Sequence, residues 1–188
     1  CDSWSNNNPG HGTSNKSGFE LEDGVNFITL ENCRAWDNES QNFDIHTHPG
    51  DPISHDILFK NCESIDPVND HWNCLDGYNI IIDGAICKGA GVANARLRVT
   101  RIKDVTIKNV TGEVSLSVQN SQNVNIDSIN IDFGESEVSH TGVVLSGIYK
   151  ANLNNVIVNN AGISGIQLQD SEDISVSNFA VTRAGQSG

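Results

Sequence analysis

The residues best equipped for chemistry crowd into one stretch, Asp44-Ile45-His46-Thr47-His48-Pro49-Gly50-Asp51-Pro52-Ile53-Ser54-His55-Asp56, which holds three of the six histidines of the chain. Imidazoles titrate near neutrality and carboxylates can orient them, so the stretch could move protons or contact a polar substrate. His46 and His48 alternate along the chain and could also meet a metal with Asp44 or Asp51, although a zinc site needs a more defined ligand geometry than spacing alone provides. Histidines on a surface with no special role are the plain alternative. Earlier in the chain Glu20 stands as a further carboxylate, and Asn73, Arg96, Arg98 and Arg101 follow later.

Whether these groups can meet depends on the elements that carry them. An apolar-x-apolar-x-Asn pattern recurs as Ile28/Leu30/Asn32, Ile57/Phe59/Asn61, Ile80/Ile82/Gly84, Val105/Ile107/Asn109, Val124/Ile126/Ser128, Leu153 with Asn155, and Ile174/Val176/Asn178. Its last members are separated by 29, 23, 25, 19, 27 and 23 residues. A second alternating pair precedes each core, from Phe19/Leu21 through Phe43/Ile45, Trp72/Cys74 and Leu97/Val99 to Ile166/Leu168. A third, such as Cys33/Ala35 or Cys62/Ser64, follows it. Short alternating strands at a period near two dozen residues, with no helical pattern, predict an all-β solenoid. Three short strands per turn make it a parallel β-helix of about seven coils, stacked about 4.8 Å apart. A β-sandwich explains neither the recurring Asn nor the constant register. The Asn column is expected to point inward, with its amides bonding from coil to coil; Asn109, one of three N-x-S/T matches with Asn15 and Asn38, is then closed to glycosylation.

In such a stack the outward residues of equivalent strands become neighbours. On the first strand of each coil one outward column reads Glu20, Asp44, Asn73, Arg98, Ser117, Val144, Gln167, and the next begins Glu22, His46. Acid, acid, amide and guanidinium thus span on the order of 14 Å, the length of a few sugar residues. Adjacent carboxylates such as Glu20 and Asp44 raise one another's proton affinity and can divide acid and base roles, with separation deciding between retention and inversion in glycoside hydrolysis. The alternative is a polar ladder, or a calcium ion (Ca2+) between the carboxylates; no other cofactor is expected.

The formal net charge of −13 argues against nucleic acid, which requires a basic footprint. Thirteen acidic and three basic side chains fall within residues 1–70, whereas six of the eleven bases lie between Lys88 and Lys108. No apolar run is long enough to cross a bilayer, so a membrane is not an expected partner. Five cysteines, three of them in one column at Cys1, Cys33 and Cys62, read as buried thiols, with disulfides between coils as the alternative. Cys1-Asp2-Ser3-Trp4 repeats the form of Cys33-Arg34-Ala35-Trp36, so the array is expected to be already running where the sequence begins. Ala184-Gly185 closes a coil as Ala161-Gly162 does. Residues 1–188 therefore read as a single domain, a segment of a longer protein or one that stacks on a neighbour.

The repeat resembles the right-handed parallel β-helix superfamily that includes pectate lyases, alginate-modifying enzymes and bacteriophage tailspikes. Within it, Asn42-Phe43-Asp44-Ile45-His46 is similar to the Tyr-Gly-aromatic-Asp-Pro-His strand of alginate C5-epimerases. That likeness implies Asp44 and His46 as groove residues. Ile45, Asn42 and Gln41 stand where the family has Pro, Gly and the Tyr it uses for proton transfer, and neither Tyr78 nor Tyr149 is placed to substitute. The tailspike likeness rests on the repeat array, the acidic surface and the insertions at 47–54 and 134–141, and implies a homotrimer that grips polysaccharide outside the cell or on a virion surface.

These residues and resemblances lead to an expected polysaccharide-acting module, with Glu20, Asp44 and His46 handling protons. Asn73, Arg96, Arg98, Arg101, His48, Asp51 and His55 are its expected substrate contacts. Hydrolysis and β-elimination both remain open. A non-catalytic glycan-binding or spacing segment is the alternative, and the outward columns are too mixed for the regular threonine array of an ice-binding surface.

Overall fold

The computed structural model describes residues 1–4, 16–89, 95–134 and 140–183; Asn15, most of the 134–141 insertion and Ala184-Gly185 lie outside them. Its sixteen strands form one sheet, and no helix occurs among the described residues. They are β1 (Asp2–Trp4), β2 (Phe19–Glu22), β3 (Asn26–Glu31), β4 (Arg34–Trp36), β5 (Phe43–His46), β6 (Ser54–Lys60), β7 (Glu63–Ile65) and β8 (Trp72–Asp83). Then follow β9 (Ile86–Lys88), β10 (Arg96–Gly112), β11 (Ser115–Gln119), β12 (Gln122–Asp132), β13 (Thr141–Ser146), β14 (Tyr149–Asn159), β15 (Ser164–Gln169) and β16 (Glu172–Thr182). Every pairing is parallel and joins a strand to its counterpart one repeat on, in an open arrangement that fits a solenoid.

The expected register holds in each tier. Phe19 pairs with Phe43, Phe43 with Trp72, and Leu97 with both Trp72 and Leu116. Ile28 pairs with Ile57 and Ile57 with Ile80, while Ala35 pairs with Ser3 and Ser64. The alternate residues of all three tiers, for example Phe43 and Ile45, Ile57 and Phe59, Cys62 and Ala85, are buried in one core. Three short strands per repeat do not persist throughout, because β8 runs through two tiers and β10 through all three.

The bends explain the composition. Between the second and third tiers Asn32, Asn61, Asn109, Ser128, Asn155 and Asn178 all have φ between 51° and 56°. A left-handed residue turns the strand sharply, and Asn or Asp adopts that conformation at the lowest cost after glycine. Gly84 takes the same place because a β-carbon there would lie 2.4 Å from Asn61 Oδ1. Further left-handed columns, including Asp56, Asn79, Asp104 and Asn123, bend the chain before the second tier.

The Asn column faces outward, not inward. Asn32, Asn61, Asn109, Asn155 and Asn178 are exposed, and their coil-to-coil bonds, such as Asn109 Nδ2 to Asp83 Oδ1 at 2.7 Å, run over the surface. Each tight bend resets the alternation of the strand before it, which turns the residue at the corner to solvent. The expectation for glycosylation sites therefore reverses: Asn109 is exposed, while Asn38 is buried and donates to Asn42 Oδ1 at 2.7 Å.

The inward polar residues sit at a different corner, where Asn42 Nδ2 donates to Ser64 Oγ at 2.8 Å and Ser64 Oγ meets His71 Nδ1 at 2.7 Å. Burial holds the His71 imidazole neutral and lowers its pKa from 6.5 to about 4. The unfolded chain therefore takes up a proton below pH 6.5 that the folded chain refuses until about pH 4. Stability is complete near neutrality and falls with pH through that window, by about 3 kcal/mol in all. Urea titrations at about pH 7 and about pH 4.5 should show this loss in the native protein and most of it absent in His71→Gln.

All five thiols are free, with Cys33, Cys62, Cys74 and Cys87 buried. Burial raises the Cys62 thiol above its ordinary range and the Cys74 and Cys87 thiols well above it, so they behave as small apolar groups.

Candidate functional site

Strand β5 presents Asp44 and His46 on the face opposite its core residues Phe43 and Ile45. Its parallel partners bring Glu20 and Glu22 from β2 on one side and Asn73 from β8 on the other. Arg98 of β10 stands next in the row.

These side chains form one connected ladder. Arg98 Nε donates to Asn73 Oδ1 at 2.9 Å, and Asn73 Nδ2 donates to Asp44 Oδ1 at 2.7 Å. The other Asp44 oxygen lies 3.2 Å from His46 Nδ1, and His46 Nε2 lies 3.1 Å from Glu22 Oε1. Glu20 shares the same small volume: ligand atoms of Glu20, Glu22 and His46 all fall within 4.8 Å of one another. At the far end Asp70, absent from the expected site, receives Arg96 Nε at 3.0 Å and Arg98 NH2 at 3.3 Å.

Depth separates the roles. Asp44 is only 5 % exposed, so it reaches a bound molecule through His46 or not at all, whereas the His46 side chain keeps 22 % of its surface. Burial raises the Asp44 pKa against the lowering pull of Asn73, His46 and Arg98. Glu20 is raised as well, first by burial and then by the neighbouring charges of Glu22 and Asp44. A carboxyl of raised proton affinity beside an imidazole oriented by a second carboxylate can divide acid and base roles with it.

The remaining expected contacts lie beyond the ladder, and three of them, His48, Asp51 and Arg101, line one cleft of about 390 Å³ with Asp76. His48 and Asp51 gather around Asp23, with His48 Nδ1 2.9 Å from Asp23 Oδ2, and the His48 ring meets the His46 ring edge-on at 5.0 Å. The Asp23 hydrogen bond raises the His48 pKa. Arg101 is bidentate on Asp76 at 2.5 and 2.7 Å, and His55 binds Asp56 at 2.7 Å while stacking on Tyr78 at 4.4 Å. Arg101 and His55 thus make no hydrogen bond to the ladder, Arg101 standing instead at the cleft it shares with His48 and Asp51.

No protein-family model matches the chain, and no curated protein matches it. Among solved structures it is similar to a candidate glycosyl hydrolase from Parabacteroides merdae at 13 % identity and a TM-score of 0.49, over 86 % of this chain and 82 % of that one. It is also similar to the A-module of a mannuronan C-5 epimerase from Azotobacter vinelandii at 13 % identity and a TM-score of 0.37. That match covers 92 % of this chain and 55 % of the other, so this chain spans about half of its length.

Proposed function

We propose that the protein acts on an acidic polysaccharide laid along the first-tier face and cleaves it by β-elimination, on a right-handed parallel β-helix of about seven coils. The unbroken ladder from Glu22 through His46, Asp44 and Asn73 to Arg98 carries this reading. Two guanidinium groups, Arg96 and Arg98, meet the single buried carboxylate of Asp70, which leaves one positive charge for a uronate carboxylate. That neutralisation acidifies the hydrogen alpha to the carboxylate.

His46, oriented by Asp44, then takes the proton from C5 through Nε2, with the sugar displacing Glu22 from that nitrogen. The electron pair of the C5–H bond forms the C4–C5 double bond, the C4–O bond breaks, and the leaving oxygen receives the proton held by Glu20. Solvent returns each group to its starting state. Calcium, where bound, finds oxygen donors in Glu20 and Glu22 and competes with the proton they share.

Hydrolysis is the second reading, favoured by the raised proton affinity of Glu20 beside Asp44. A panel of polyuronates and neutral glycans, followed by ultraviolet absorbance of the unsaturated product and by reducing ends, separates these readings. Both signals together on a polyuronate are expected. Reducing ends alone select hydrolysis, and neither signal with glycan binding retained selects a non-catalytic binding segment. The same reading has the protein act outside the cell or on a virion surface, and a solution mass of three chains is its expected assembly.

A further inference from the structure

Outside the ladder, an imidazole and two carboxylates from two adjacent coils meet at one point. Ligand atoms of Asp23, His48 and Asp51 all lie within 4.8 Å of one another. Two turns bring them there. Asp23 leaves β2 at a left-handed corner with φ of 44°, and the His48 backbone N–H donates to its Oδ1 at 2.8 Å. One coil on, His48-Pro49-Gly50-Asp51 has Pro second and Gly third with φ of 99°, and Asp51 N donates to His48 O at 3.1 Å. That is the residue pattern of a type II turn, which draws its first and fourth residues together. The loop is also held from both sides. A β-carbon on Gly24 would lie 2.8 Å from Pro52 Cβ, so the loop rests on the preceding coil, while Thr47 Oγ1 donates to Asp76 O on the next coil at 3.1 Å. Groups fixed in this way have little left to order when a ligand arrives.

We infer that Asp23, His48 and Asp51 form a binding site for a divalent transition-metal ion of the zinc kind. Charge calls for a cation. His48 Nδ1 lies 3.2 and 2.9 Å from the two oxygens of Asp23, but the Asp51 carboxylate makes no hydrogen bond or ion pair among the described residues, and its charge and that of Glu22 are felt at His48. Arg101 lines the same cleft as His48 and Asp51, yet its Nε and NH2 are committed to Asp76. A protonated imidazole offsets one carboxylate, whereas a divalent ion offsets both and leaves the imidazole neutral. The nitrogen donor selects the ion: imidazole with carboxylates suits zinc and its first-row neighbours, while calcium and magnesium take oxygen ligands. Distance agrees. Ligands about 2.0–2.1 Å from a tetrahedral ion stand about 3.3–3.4 Å from each other, and Nδ1 is already 3.2 Å from Asp23 Oδ1. The cleft of about 390 Å³ beside His48 and Asp51 leaves room for water as a fourth ligand. The neighbouring group of Glu20, Glu22 and His46 differs, because His46 already has a carboxylate at each ring nitrogen.

Chelator-treated protein is titrated with zinc chloride by calorimetry at about pH 7.5, and cobalt chloride serves as the optical probe. One ion per chain is expected, with cobalt bands of a nitrogen and oxygen site and without the thiolate charge-transfer band that Cys1 or a buried thiol would give. The Kd should weaken at least about 10–100-fold in His48→Ala and in Asp51→Ala and stay unchanged in His46→Ala. Excess calcium chloride is expected to leave the zinc isotherm in place. His48 and Asp51 are exposed, and circular dichroism checks that each variant is folded. Zinc that fails to bind, or that binds equally well to the native, His48→Ala and Asp51→Ala proteins, overturns the site. Binding lost in His46→Ala moves the ion to the Glu20 and Glu22 group and overturns it as well, and a thiolate band or displacement by calcium overturns the ligand set. Turnover enters none of these readouts, so the site stands or falls apart from the reaction proposed for the ladder.

Discussion

His46→Ala is expected to lower kcat/KM on a polyuronate by about 10²–10⁴-fold while leaving the unfolding midpoint close to that of the native protein. Its imidazole is the one ladder base with both nitrogens near carboxylates and a surface open to a substrate. Asp44→Asn is expected to cost on the order of 10²-fold or more, although Asp44 acts only through His46 and meets no substrate atom. The ladder runs in one direction: Arg98 Nε donates to Asn73, and Asn73 Nδ2 donates to Asp44. An amide at position 44 sets a second donor against Asn73 or against the Nδ1–H of His46. Relieving that conflict requires Asn73 to turn over and meet Arg98 with its own NH2, or His46 to carry its proton on Nε2, which takes away the lone pair the reaction uses. A pH profile distinguishes orientation from simple loss of packing. Glu20, displaced upward from an ordinary carboxyl by burial and by the charges of Glu22 and Asp44, must hold its proton to act as the acid, so activity falls as pH rises through its titration. Glu20→Gln removes that fall, and Asp44→Asn changes the shape of the profile where a mere loss of packing lowers it uniformly. Profiles unchanged in shape in both variants refute the proton assignments.

The row Glu20, Asp44, Asn73, Arg98 was legible in the sequence because parallel pairing preserves alternation from one repeat to the next. Phe43 with Ile45, and Trp72 with Cys74, fix which residues between them face outward. Asp70 was not legible. It precedes β8 in a turn-like Asp66-Pro67-Val68-Asn69-Asp70 segment, where no alternation assigns a side, and only burial beside two arginines identifies it. The Asn corner failed for a related reason. Both an inward amide and a left-handed bend call for asparagine, so residue type alone could not tell the two apart. Depth escaped as well: an outward register position is ordinarily wet, yet Asp44 is closed over by the long side chains beside it. His55 entered with the histidine-rich insertion and Arg101 with the neighbouring arginines; beyond the bends of the first tier His55 stacks on Tyr78, while Arg101 joins His48 and Asp51 at one cleft.

Trp72→Ala is expected to cost about 3–5 kcal/mol, while Trp72→Phe costs about 1–2 kcal/mol. Trp72 is fully buried and continues a stack in which Phe19 lies 5.2 Å from Phe43 and Phe43 lies 4.6 Å from Trp72, with Phe59 edge-on at 6.5 Å. Alanine removes the stack and leaves a void that strands hydrogen-bonded on both sides close only in part. Phenylalanine keeps the stacked ring and also removes Nε1–H, which is buried and makes no hydrogen bond among the described residues; that gain offsets part of the lost contact. Urea unfolding followed by circular dichroism gives the ordering, and equal losses in the two variants contradict the role assigned to the stacked ring. The effect reaches the site because Asn73 is the next residue. A backbone that settles into the alanine void displaces the amide joining Asp44 to Arg98, and a shift near 1 Å there is enough to cost about 10²-fold in rate. Trp72→Ala should therefore lose turnover even where it remains folded, and Trp72→Phe should keep it. The same aromatic stack that closes the core thus sets the spacing of the ladder on its outer face.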